Sequence, residues 1–207
     1  MLLWEFPIYK CPFGYKRVKM PRPKTRPDSD VLDAALALIH GRGPEALTFA
    51  SLAQACGLSA ATLVQRFGGK DALKRAALLR AWDQLDDRTA RLAERMPKTP
   101  AGAIGLLVGL SGDYGGIEAY AEGLLVLRED LRDPVLRARG TAWKQVLSQA
   151  LDASFANMPG APAGIGLLLA SQWQGCLLWW GFAPEGRLTD HVETSLMRFL
   201  AATIPSG

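Results

Sequence analysis

The chain is 207 residues long, 49% apolar and 21% charged, with a formal net charge of +4. That length carries one sizeable domain or two small ones. Its three cysteines, Cys11, Cys56 and Cys176, have no CxxC spacing, which argues against a disulfide framework or a thiolate zinc site and fits a reducing compartment. The charge is uneven, with 13 Lys/Arg against 6 Asp/Glu in residues 1–80 and a mildly acidic remainder. A basic N-terminal part points to a polyanionic partner, although a basic solvated tail has the same composition.

The opening stretch, MLLWEFPIYKCPFGYKRVKM, has neither the basic-then-apolar order of a secretory signal nor a helical period. Met20 begins a basic, proline-broken segment. Residues 1–27 are therefore expected to be a disordered arm, with Met20 the native start and 1–19 upstream sequence. Asp28, Ser29 and Asp30 offer N-caps for a first helix, and Leu32, Ala35, Leu36 and Ile39 give it one apolar face. Gly41 and Gly43-Pro44 end it. Thr48 caps a short second helix that buries Leu52, Ala53 and Cys56 and stops at Gly57. Ser59 caps a third, with Ala60, Leu63, Val64 and Phe67 turned inward and Ala61, Thr62, Gln65 and Arg66 on the open side.

Gly68-Gly69 breaks the pattern, and Lys70-Asp71 starts a long fourth helix that runs to about Arg95, before Pro97 and Pro100. Two short helices joined through a glycine form a helix-turn-helix whose apolar faces the first and fourth helices must cover. An ordinary helical hairpin in a bundle has the same pattern. Further helices are expected near 101–114, 117–129, 133–156, 163–182 and 189–203, which makes the chain all-α. Gly164–Phe182 is long enough to span a bilayer, but Ser171, Gln172 and Gln174 interrupt it and no basic flank precedes it, so a helix buried among protein neighbours is expected and no membrane contact.

The string ALTFASLAQACGLSAATLVQRFGGKDAL goes beyond a generic helix-turn-helix. It resembles the DNA-binding domain of the tetracycline-repressor-like (TetR) family of bacterial transcription regulators. Thr48 opens the second helix, and Leu52, Ala53, Gly57, Leu58 and Ser59 match the LA-x-x-x-G-[VL]-S turn. Thr62-Leu63 follows, and Phe67, Lys70, Asp71 and Leu73 match the aromatic and the x-x-K-[DE]-x-L that close the motif. The match covers about a quarter of the chain. It departs from the family at Ala61, where glycine is common, and at Val64, where a tyrosine usually touches the DNA backbone.

The resemblance implies a helix-turn-helix DNA-binding domain over residues 28–74 and a helical effector-binding and dimerisation domain over 75–207. Its partners would be double-stranded DNA, a small-molecule effector and a second copy of the chain, in a bacterial cytoplasm and without a cofactor. A major groove admits a helix as short as the third. Ala60 and Ala61 would let its backbone approach base edges, Thr62 and Gln65 would reach bases, and Val64 would meet a thymine methyl. Arg66, Lys70, Thr48 and Ser59 would serve phosphates. In the body, Trp143, Trp173, Trp179, Trp180, Tyr114 and Tyr120 would be unusual if all were plain core, although any single one fits a core or a dimer interface equally well. Tyr114, Tyr120, Trp143 and Trp173 are the expected effector contacts, for a hydrophobic, aromatic or lipophilic cationic ligand. Val192, Leu196, Phe199 and Leu200 are the expected dimer contacts, with small residues of the preceding helix, Gly164, Gly166, Ala170 and Gly175, allowing close approach.

An enzyme is disfavoured, because His40 and His191 lie far apart and no Walker loop, G-x-S-x-G or H-E-x-x-H is present. A helical interaction adaptor that has lost DNA binding is the remaining alternative, kept open by Val64.

Overall fold

The computed structural model describes residues 26–112 and 117–204. Helices run α1 (Asp28–Arg42), α2 (Phe49–Cys56), α3 (Ala60–Phe67), α4 (Lys70–Arg95), α5 (Pro100–Ser111), α6 (Ile117–Arg132), α7 (Pro134–Asp152), α8 (Ile165–Phe182) and α9 (Leu188–Thr203), with a 3-10 turn at Pro44–Ala46. No strand occurs among the described residues. Tyr114, Met20 and nearly all of the expected arm lie outside them.

Two hydrophobic cores organise these helices. The first joins Val31, Ala35, Leu36 and Ile39 of α1 to Leu52 and Cys56 of α2, Leu63 of α3 and Leu73, Ala77 and Leu78 of α4. It thus reaches past residue 74, and it also takes Leu136 from α7. The second core gathers α5, α7, α8 and α9 around Leu107, Leu147, Leu151, Leu169 and Leu196. Helix α4 serves both: its first half lies in the first core, while Leu85 and Leu92 pack on the second and Trp82 touches each.

The helix ends follow local chemistry. Pro27 occupies the N-cap of α1 without a side-chain cap bond, so the acids expected as caps sit in the first turn. There Asp28 and Asp30 still oppose the positive end of the helix dipole. Helix α5 stops at Ser111, short of the expected 114, because Gly112 takes φ 66. Helix α7 ends at Asp152 rather than 156, and at its start Asp133 accepts from the Val135 and Leu136 amides ahead of Pro134 in the first turn. No described helix is long and apolar enough to cross a membrane.

Candidate nucleic-acid interface and ligand groove

The turn between α2 and α3 is fixed from both sides. Thr48 Oγ1 accepts from the Ser51 amide at 3.0 Å, and Ser51 Oγ accepts from the Thr48 amide at 3.0 Å, a reciprocal capping box. Gly57 adopts φ 67, ψ 30 and donates to the Ala53 carbonyl. A Cβ there would meet open space, so the left-handed backbone and not crowding calls for glycine. Ser59 Oγ then accepts from the Thr62 amide at 3.0 Å and bonds the Thr62 hydroxyl at 2.8 Å.

Leu63 is fully buried and Phe67 half-buried, which anchors α3 on the first core. Ala60, Ala61, Val64 and Gln65 are exposed, and Thr62 is half-buried beneath its bond to Ser59. Ala60 and Val64 were expected to face inward. The covered side of this eight-residue helix is narrower than that, since Leu63 and Phe67 fill it and Val64 is turned about 100° from Leu63. The basic residues are already engaged: Arg66 donates to the Asp28 carboxylate and, at 2.8 Å, to the Arg26 carbonyl, while Lys70 pairs with Glu45 at 3.0 Å. Both pairs lie at the surface, where such bonds are weak and exchange readily for another anion.

Farther along α4 a groove of about 600 Å³ opens among α4, α6, α7 and α8, lined by Trp82, Asp130, Trp143, Leu147, Leu167 and Trp173 among others. The rings form a run, with centroids 5.8 Å apart for Trp82–Trp143 and 6.4 Å for Trp143–Trp173. Each indole N–H is committed. Trp143 donates to Thr89 Oγ1 at 3.0 Å and Trp173 to Ser111 Oγ at 2.9 Å, and each hydroxyl in turn donates to a carbonyl of its own helix. Trp82 donates to Asp130 Oδ1 at 3.2 Å. Gly140 admits the Trp82 ring against α7: a Cβ there would lie 3.2 Å from it.

Two carboxyl groups on this corner of the fold are driven in opposite directions. Burial pushes Asp130 up to about 6, against the lowering effect of the Trp82 N–H and with a smaller push from Glu129. The Arg75 hydrogen bond, at 2.6 Å, and the α7 amides hold Asp133 below the usual carboxylate range.

Of the expected effector contacts, Trp143 and Trp173 line the groove, and Tyr114 lies outside the described residues. Tyr120 does not line it. Its ring stacks edge-on against Trp180, 6.4 Å away, as part of the second core. Trp82 and Asp130, which the sequence did not single out, also line the groove. Trp82 is the single aromatic residue of α4, which was a usable signal, whereas nothing in LREDLRDP distinguishes Asp130 from its charged neighbours.

The expected dimer contacts need correction. Val192, Leu196 and Leu200 are 0%, 0% and 8% exposed, since their stripe packs into the protomer's own second core and leaves nothing for a partner. Phe199 is half-buried against the same core. Gly166 serves α7 of the same chain: a Cβ would come within 2.2 Å of the Ser148 carbonyl oxygen. The apolar surface that α8 and α9 leave outside is instead Leu168, Leu178, Trp179, Phe182 and Met197.

Residues 31–77 match the family described as bacterial regulatory proteins, tetR family. The match spans the helix-turn-helix and the start of α4, and not the body of the chain. Members of the family are DNA-binding transcriptional regulators and not enzymes. Solved structures agree with the TetR fold along most of the chain. A transcriptional regulator from Rhodococcus sp. Rha1 is 17% identical over 88% of this chain and 100% of its own, with a TM-score of 0.69. A candidate regulator from Saccharomonospora viridis, in complex with choline, is 20% identical over 86% of this chain and 96% of its own, with a TM-score of 0.67. The multidrug binding protein EbrR, complexed with imidazole, is 18% identical over 91% and 98%, with a TM-score of 0.59. Among proteins of curated function, none matches the chain in sequence.

Proposed function

We propose that the chain is a homodimeric repressor that leaves a near-palindromic operator when a small apolar effector occupies the groove. The observation that carries this reading is the continuity of α4. One unbroken helix holds Leu73, Ala77 and Leu78 in the helix-turn-helix core and, a turn farther on, presents Trp82 to the groove. An effector that fits only one setting of α4 would change the spacing of two recognition helices and so release DNA through differential affinity. The small ligands bound by the Saccharomonospora viridis protein and by EbrR support a ligand-binding body.

On this reading α3 enters the major groove. Ala60 and Ala61 permit close approach, and Thr62, Val64 and Gln65 face base edges. Thr48, Ser59, Arg66 and Lys70 contact phosphates, with Arg66 and Lys70 exchanging Asp28 and Glu45 for the backbone of DNA. The dimer forms through the outward faces of α8 and α9. Trp179 and Phe182 are 70% and 76% exposed in the single chain, with ring centroids 5.7 Å apart, and Leu168, Leu178 and Met197 are exposed on the same two helices. Exposed large apolar side chains gathered in this way mark an interaction surface.

Sequencing the genomic fragments that the purified protein retains tests the reading. Enrichment of inverted repeats with half-sites about one helical turn apart, roughly 34–36 Å or a multiple of it, is expected. No enriched sequence would favour the adaptor.

A further inference from the structure

We infer that the groove takes an organic cation, held with its charged end against Asp130 and the faces of Trp82 and Trp143 and its apolar remainder toward Trp173, Leu147 and Leu167. The inference rests on the reading of the groove as the effector site and specifies what enters it.

Asp130 stands apart from the acids around it. Glu129, its neighbour on α6, pairs with Lys74 at 2.6 Å, and Asp133 pairs with Arg75 at 2.6 Å. Across the α4–α7 contact, Asp83 and Asp86 share Arg139. No described cation lies within ion-pair distance of Asp130, whose one hydrogen bond among the described residues comes from an indole. Two basic residues of α7 also line the groove. Arg137 is turned to the main chain, donating to the Leu131 carbonyl at 2.8 Å, and Lys144 is exposed to solvent. From α8 the groove receives Ser171 and Gln174, which carry no charge. A half-buried carboxylate without a cationic partner, set beside aromatic faces, favours a ligand that brings the missing charge. Because Trp143 and Trp173 spend their N–H groups on Thr89 and Ser111, their rings offer a ligand only apolar and π surface. Burial keeps the Asp130 carboxyl protonated up to about pH 6, so a cationic ligand and a proton compete for it.

The test uses the full chain, tryptophan emission and calorimetry, with benzyltrimethylammonium and its neutral isostere neopentylbenzene as probes. Benzyltrimethylammonium should bind at pH 8 at least about tenfold more tightly than the isostere. Its affinity should fall by up to about tenfold at pH 5, while that of the isostere stays level. Asp130→Asn, which keeps an acceptor for Trp82, should weaken the cation by about tenfold or more and leave the isostere unchanged, and that second half also shows that the variant folds. Equal binding of both probes would overturn the cation assignment and leave an apolar effector groove standing. A cation affinity indifferent to pH and to Asp130→Asn would overturn the role of Asp130. Failure of both probes to bind would overturn the groove as an effector site.

Discussion

Between Thr48 and Phe67 most of the bonds that set the backbone join residues within a turn of one another: Thr48 with Ser51, Gly57 with Ala53, Ser59 with Thr62. The aromatic groove is assembled differently, from Trp82, Asp130, Trp143 and Trp173 on four helices, tied by bonds such as Trp143 to Thr89 and Trp173 to Ser111 that span more than fifty residues. The first region is a rigid unit whose shape its own sequence dictates. The second has a shape only while four helices keep their relative positions.

That contrast can be broken most forcefully at Leu63, the fully buried residue through which α3 holds to the first core. Leu63→Ala should lower unfolding stability by about 2–5 kcal/mol in urea titrations. A loss well below that range would mean that α3 does not depend on this anchor. Gly57→Ala comes next, because its φ of 67 costs any other residue about 1–2 kcal/mol. An unchanged midpoint would show that the turn does not need the left-handed backbone. Thr48→Ala should cost about 1 kcal/mol through loss of the reciprocal cap.

The contrast sharpens in the pH dependence of two acids three residues apart. Raised to about 6, Asp130 binds its proton more tightly folded than unfolded, so its contribution to stability falls as pH rises from about 4 to 6 and stays unfavourable above that. Asp130→Asn should therefore raise Tm at pH 8 and leave it nearly unchanged at pH 4. Asp133 is lowered, so it stabilises the fold at neutral pH and loses that contribution as acid protonates it. Asp133→Asn should lower Tm at pH 8. Thermal scans in which both variants move the same way would contradict the opposed environments. The smallest effect belongs to Lys70→Ala, which should reduce the slope of log affinity for DNA against log salt by about 0.9. An unaltered slope would leave Lys70 with Glu45 alone.

How legible each region was in the sequence follows from the same difference. Thr48, Gly57, Ser59 and the limits of α4 were readable because caps, glycines and prolines act on adjacent residues. Periodicity marked Val192, Leu196, Phe199 and Leu200 as one face of α9 but does not say what covers a face. The stripe turned out to pack within the protomer, and the outward surface belongs to Trp179, Phe182 and Met197. Of the rings picked out by residue type, Trp143 and Trp173 line the groove and Tyr120 packs in the second core, since a large ring fills a core as readily as it lines a groove. Asp130 had no sequence signature at all, because its distinction lies in the cation it lacks and in an indole 48 residues away.

Coupling between groove and DNA is the central claim, and linkage makes it directly measurable, because an effector that weakens DNA binding must itself be weakened by DNA to the same degree. Benzyltrimethylammonium should be titrated into the protein alone and into the protein saturated with the operator recovered from its retained fragments. Binding to the DNA-bound protein should be weaker by about 5–150-fold, the usual range for coupled sites. Equal affinity in the two titrations would contradict ligand-controlled release.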